Sequence, residues 1–215
     1  MNAPAPTALD AFPVTTRRRG LRRPRTTTTR LQPGPTGPQR GITAPAAPAL
    51  PTYPVTAGGL FVVGAHGGAG ETTLATWTGG RATNRRWPVS ATWSTPDHHP
   101  RPDGRPVDIV LVARTHARGL TAARNVLTQW AAGGLPPNHL HGLVLIPDAP
   151  GRLPTQLAEQ ARLIAGGAPH AWLLPWLDEL RIAGDPIDPA ALPRAVAAFT
   201  EGLRALTHTA VANPQ

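Results

Sequence analysis

The pattern of apolar and polar positions changes character near residue 57. Before it, apolar residues are scattered among Pro, Thr, Arg and Ala with neither helical nor alternating spacing. After it, short apolar runs alternate with stretches of helical period. Leu60 to Val63 reads as a first core strand, and a helix from Thr72 to about Trp77 follows, stopped by Gly79-Gly80. Trp87 to Trp93 reads as a strand, which Pro88 assigns to a sheet edge or a strand start, and four prolines between 96 and 106 mark a loop. Val107 to Ala113 is apolar except for Asp108, as expected of a parallel strand buried on both faces. Leu120 to Ala132 places Leu120, Ala123, Leu127 and Trp130 at helical spacing before Gly133-Gly134 ends it. A strand over Leu143 to Ile146, a helix over about Pro154 to Ala165, a strand over Ala171 to Leu174, a short helix through Arg181 and a final helix over Ala190 to Leu206 complete the series. Strands and helices alternating over short links predict a doubly wound α/β fold, with a parallel sheet, right-handed crossovers and helices on both faces.

Composition sharpens the boundary. The chain of 215 residues has 27 prolines and a net charge of +9, and all 21 of its cationic residues are arginine. Eight of those arginines and one acid, Asp10, lie in residues 1–56, so that segment carries +7 of the +9. Such a segment buries too little apolar surface to offset its ordering entropy, and it is expected to be a disordered basic tail. The block Arg17 to Arg25 suits an anionic partner, nucleic acid or an acidic surface, bound with strong salt dependence; no aromatics interleave it for base stacking. Residues 57–208 form the expected domain and 209–215 a short C-terminal tail. With no cysteine, disulfides, thiolate metal sites and cysteine nucleophiles are excluded. No apolar run is long enough for a signal peptide or a transmembrane helix, so the simplest expected location is the cytoplasm.

The candidate chemistry sits in Phe61 to Leu74. Four glycines fall within the seven positions 64–70, between an apolar strand and the start of a helix. That is the outline of a phosphate-binding loop, in which glycine lets backbone N–H groups converge on an anion and the helix N-terminus adds partial positive charge. His66-Gly67-Gly68-Ala69-Gly70-Glu71-Thr72-Thr73 resembles the deviant Walker A motif, K-G-G-x-G-K-[ST]-[ST], of MinD/ParA-type P-loop ATPases. It is similar as well to actinobacterial proteins that share the run Gly64-Ala65-His66-Gly67-Gly68-Ala69-Gly70. Both lysines of the motif are replaced, by His66 and by Glu71. The absence of lysine throughout, with the Ala, Gly, Pro and Arg bias, points to a GC-rich genome. Drift away from lysine would leave arginine, whereas Glu71 reverses the charge.

The resemblance implies a P-loop NTPase-type sheet and ATP with Mg²⁺ as the cofactor. It further implies dimerisation across the nucleotide, with Thr72 as a magnesium ligand and Pro147-Asp148 and Pro175-Trp176 near the base. Against this, the Walker B and switch aspartates have no counterpart. Only Asp97 and Asp103 lie between the loop helix and the next clear strand, both among prolines, and no apolar run ends in Asp-x-x-Gly. A carboxylate about 4 Å from a phosphate oxygen costs roughly 4 kcal/mol per charge pair at an effective dielectric near 20. The expectation is therefore a non-hydrolysing regulatory or protein-interaction module, with no catalytic residues. The alternative is an ATP- or GTP-binding switch in which His66, Arg114 and Arg118 replace the lysines. A third class, an unrelated α/β enzyme, finds no Ser-His-Asp spacing or paired carboxylates to support it. Asp97-His98-His99 suggests a metal site, but adjacent histidines diverge on an extended chain, and a solvated loop is the expectation.

Overall fold

The computed structural model of the protein describes residues 28–31, 33–55, 58–90, 107–136, 138–182 and 187–212. In chain order the strands are β1 (Thr29–Arg30), β2 (Thr52–Val55), β3 (Leu60–Gly64), β4 (Arg81–Ala82), β5 (Trp87–Ser90), β6 (Asp108–Arg114), β7 (His139–Ile146) and β8 (Ala171–Leu173). The helices are α1 (Glu71–Thr78), α2 (Ala117–Ala131), α3 (Thr155–Ala165), α4 (Glu179–Ile182) and α5 (Arg194–Ala212). The main sheet has six strands in the order β1-β8-β7-β6-β3-β4, parallel throughout except for β1, which runs antiparallel along β8. The doubly wound architecture read from the sequence is the one observed. No helix among the described residues is long and apolar enough to cross a membrane.

Alternation of side chains along the strands feeds two cores. Phe61 and Val63 of β3, Ile109 and Leu111 of β6, and Leu143 and Leu145 of β7 pack with α2 and α3 on one face. Leu60 and Val62, Val110 and Val112, and Val144 and Ile146 pack with α1 and α5 on the other. The central strands are buried on both sides, which is why their sequences read as unbroken apolar runs rather than as alternation. Helix α1 stops where Gly79 takes a left-handed conformation and its N–H returns to the Ala75 carbonyl. Arg204 of α5 donates to the Thr78 and Trp77 carbonyls there, so a cation closes the negative end of the helix.

Two boundaries differ from expectation. Residues 28–55, read from the sequence as part of a disordered tail, are anchored to the domain at several described positions. Strand β1 extends the sheet edge, the N–H of Gly34 reaches the Ala168 carbonyl, and Gln39 reaches Ala131. Leu50 and Val55 are buried in the α2/α3 core, and β2 pairs in parallel with β5 to form a separate two-stranded sheet. The segment has no periodicity because it contributes isolated anchors rather than one continuous face. At the other end, α5 continues to Ala212, past the expected limit of 208. Residues 1–27, including the arginine block at 17–25, and residues 91–106, including Asp97, His98, His99 and Asp103, lie outside the described residues.

Removing 28–55 should therefore cost stability. Burial of Leu50 and Val55 contributes about 3–6 kcal/mol. A chain starting at residue 57 should melt about 10 °C or more below one starting at residue 28, by scanning calorimetry. Equal melting temperatures would show that the segment adheres without stabilising.

Candidate functional site

From β3 the chain passes through α1 to β4 on one side, and the next strand of the main sheet, β6, lies on the other side of β3. The loops leaving β3 and β6 therefore part between these two strands, at the topological switch point where α/β sheets open a crevice. The glycine loop, residues 65–70, leaves β3 there. Gly70 sits at the N-cap of α1 with φ of 94°, and a Cβ on it would fall 2.6 Å from Cδ1 of Ile146, so only glycine fits. No side chain caps α1 at Gly70, leaving its first-turn N–H groups without a side-chain acceptor. Gly67 and Gly68 are exposed and face open space. Ala69 is buried against the α1/α5 core and anchors the loop.

Glu71 does not enter this loop. Its Oε1 accepts from Thr83 N at 2.5 Å and Thr83 Oγ1 at 2.9 Å, and the Arg85 N–H lies 3.3 Å from Oε2. Thr83 and Arg85 belong to the turn after β4, where Asn84 and Arg85 both hold positive φ, 52° and 59°. The carboxylate thus gathers the donors of a turn with unfavourable backbone geometry and ties it to the start of α1. Gly64 makes room for the tie, because a Cβ there would lie 2.7 Å from Oε2 of Glu71. The hydrogen-bond partners of the Glu71 carboxylate thus lie in the β4 turn.

His66 is also turned to a structural task. Its Nε2 accepts from the backbone N–H of Arg114 at 3.0 Å, which places the ring proton on Nδ1, hydrogen-bonded to the Gly67 carbonyl at 2.8 Å. Its ring meets that of His116 edge-on, with centroids 5.0 Å apart. Burial is the largest influence on His66 and pushes its pKa below the usual imidazole value. The Gly67 hydrogen bond opposes this, and the charges of His116, Arg114 and Arg85 reinforce it. His66 is thus held neutral, joining the glycine loop to the end of β6.

Arg114 closes the crevice. Its Nε lies 3.4 Å from the Gly68 carbonyl and its Nη1 3.2 Å from the Pro147 carbonyl, so the guanidinium spans the loops after β3 and β7. Beside it lies a cleft of about 240 Å³ whose walls include Arg114, Pro147, Asp148, Pro175, Trp176 and Arg181. The carboxyl ends of the strands are expected from the sequence to bring Ala65 to Thr72, Arg114 to Arg118, Asp148 and Trp176 to one crevice; of these, Arg114, Asp148 and Trp176 line the cleft and the glycine-loop residues do not. Arg118 does not line that cleft; it is exposed on the first turn of α2. Thr72 is exposed and Thr73 half-buried, and the Thr72 carbonyl accepts from Thr76 Oγ1. Sequence reasoning missed Thr83 and Arg85, which lie 12 and 14 residues beyond Glu71, outside any local motif. His116, in the loop after β6, caps α2, its Nδ1 accepting from Gly119 N.

Two outcomes follow from these contacts. Glu71→Ala leaves the buried Thr83 hydroxyl without its acceptor and the Thr83 N–H with only its longer bond to the Val62 carbonyl, and should cost about 1–2 kcal/mol, lowering the melting temperature by roughly 3–8 °C, whereas Glu71→Gln should lose less than half of that. Since His66 in the folded chain binds protons less readily than in the unfolded chain, stability is full above pH of about 6.5 and declines as pH falls below it. His66→Gln should flatten that decline in melts run between about pH 7 and 5.

A family model described as a family of unknown function, DUF6668, matches residues 58–199. The match opens just before β3, spans the glycine loop, Arg114 and the cleft, and leaves out β1 and β2. No curated protein and no solved structure matches the chain. With well over half of its 215 residues covered, the chain belongs to the DUF6668 family.

Proposed function

We propose that this protein is a degenerate P-loop module of the MinD/ParA type. It keeps the strand, glycine loop and helix of a nucleotide-binding domain but does not hydrolyse nucleotide, and it works as a regulatory or protein-interaction unit. The fate of Glu71 carries this reading. At the position where the motif places a phosphate-binding lysine, the carboxylate is fully engaged by Thr83 and Arg85. His66, at the other lysine position, is likewise spent on the backbone of Arg114. The strand beside the loop ends in Arg114, a cation, where magnesium-dependent phosphoryl transfer would use a carboxylate. In this reading the chain offers neither the lysine nor a magnesium-binding carboxylate at the two positions where the motif needs them. The arginine block at 17–25 supplies a salt-sensitive contact to an acidic partner in this reading.

A second reading, nucleotide binding without hydrolysis, is favoured by one arrangement. The cleft beside Arg114, with the Asp148 carboxylate also in its wall, offers two guanidinium groups, Arg114 and Arg181, and the indole of Trp176. These suit an anionic, ring-containing ligand held without metal.

Calorimetric titration with ATP and GTP, each with and without Mg²⁺, separates the two. The interaction module predicts no binding tighter than millimolar and no phosphate release. Micromolar binding that Arg114→Ala abolishes would sink it in favour of the second reading. Glu71→Lys, which would restore the motif on paper, should lower the melting temperature without creating micromolar affinity, because it breaks the tie to Thr83.

A further inference from the structure

We propose that Asp108, His139 and His141 form a binding site for a divalent transition-metal ion of the zinc class. It lies at the end of the sheet opposite the glycine loop. Asp108 opens β6 and pairs in register with His139, the first residue of β7. His141 follows two positions later, so both imidazoles project from the same side of the strand. The register of the two strands then slips: Ile109 pairs with Leu140 but Val110 pairs with Gly142, leaving His141 as the extra residue of a β-bulge. Bulges of this kind re-aim a side chain. Here Nε2 of His141 lies 2.8 Å from Oδ1 of Asp108, and Nδ1 of His139 lies 3.3 Å from the same oxygen. The two rings are tilted against each other with centroids 4.3 Å apart.

Three ligand atoms, one from each residue, lie within 4.8 Å of one another. Ligands about 2.1 Å from a tetrahedral ion are separated by about 3.4 Å, so small rotations of the side chains bring the set to bonding distance. The donor set is chemically suited, since two imidazoles and a carboxylate match the borderline preference of zinc, cobalt and nickel. When the ion enters, the nitrogen of each neutral imidazole that faces Asp108 becomes the ligand, and the single ring proton sits on the other nitrogen, the tautomer that metal ligation requires.

Access and coordination number follow from burial. The side chain of His141 is 4% exposed and that of Asp108 13%, while His139 is 44% exposed. The site is anchored from within and open to solvent at His139. Three protein ligands leave a fourth position for water or a small anion, the arrangement of an open rather than a closed zinc site. A strand of seven residues, β6, separates Asp108 from Arg114, roughly 20 Å, so the site is independent of the crevice and of any nucleotide there.

The test uses the full-length, tag-free chain after dialysis against chelator. Titration with Co²⁺ should produce visible d–d absorption that saturates at one ion per chain and is displaced by Zn²⁺. Zn²⁺ should also raise the melting temperature. His139→Ala, at the exposed corner, should keep the melting temperature of the metal-free chain, weaken cobalt binding at least about tenfold and abolish the zinc-dependent rise. Should His141→Ala fail to fold, His139→Ala alone decides. The double variant His98→Ala/His99→Ala should bind like the unaltered chain. Wild-type binding weaker than millimolar, unaltered binding by His139→Ala, or loss of binding in the double variant would each overturn the site.

Discussion

A parallel sheet buried on both faces has to be covered twice, and that requirement shapes this molecule. Strands β3, β6 and β7 expose almost nothing, so helices must lie on each side, and a chain that winds helices onto both faces must reverse direction once. The reversal falls between β3 and β6. Every feature of the candidate crevice descends from it: the parted loops, the uncapped start of α1, and the reach of Arg114 from one loop to another. Even the segment before β3 obeys the same demand, with Leu50 and Val55 completing the cover over the α2/α3 face and β1 closing the edge along β8.

Within that frame, two polar side chains, His66 and Glu71, hold the glycine loop and the start of α1 in place. Glu71 pulls the β4 turn onto α1, and His66 pins the loop to the backbone of β6. The loop is therefore held by its own side chains, and the cationic character of the crevice comes from Arg114 on the neighbouring strand. This division of labour underlies the proposed loss of hydrolysis. The left-handed backbone of Gly70 calls for glycine, and Gly64 leaves room for the Glu71 carboxylate, whether or not an anion binds.

Strand β6 carries distinct chemistry at its two ends. Its carboxyl end delivers a guanidinium to the crevice, while its amino end delivers a carboxylate to a pair of imidazoles on β7. The apolar residues between them keep the two groups apart by the length of a strand. One buried element can thus position two unrelated polar clusters, because only its ends reach solvent.

The sequence by itself determined the class of fold, the strand-to-helix junction at the glycine loop, most of the helices and the gathering of Arg114, Asp148 and Trp176 at one end of the sheet. Those features are set by periodicity and turn residues, which act over a few positions. It did not reveal β1, β2 and β4, whose few residues are strands only because a partner pairs with them. Nor did it reveal the start of β7, where His139-Leu140-His141-Gly142 reads as a polar approach to a strand until β6 pairs with it. The direction of Glu71 and the convergence of Asp108 with two histidines were decided by tertiary structure alone. A side chain's partners depend on which segments the fold brings alongside it, and Thr83 for Glu71 and β7 for Asp108 arrive from beyond the range of any local pattern.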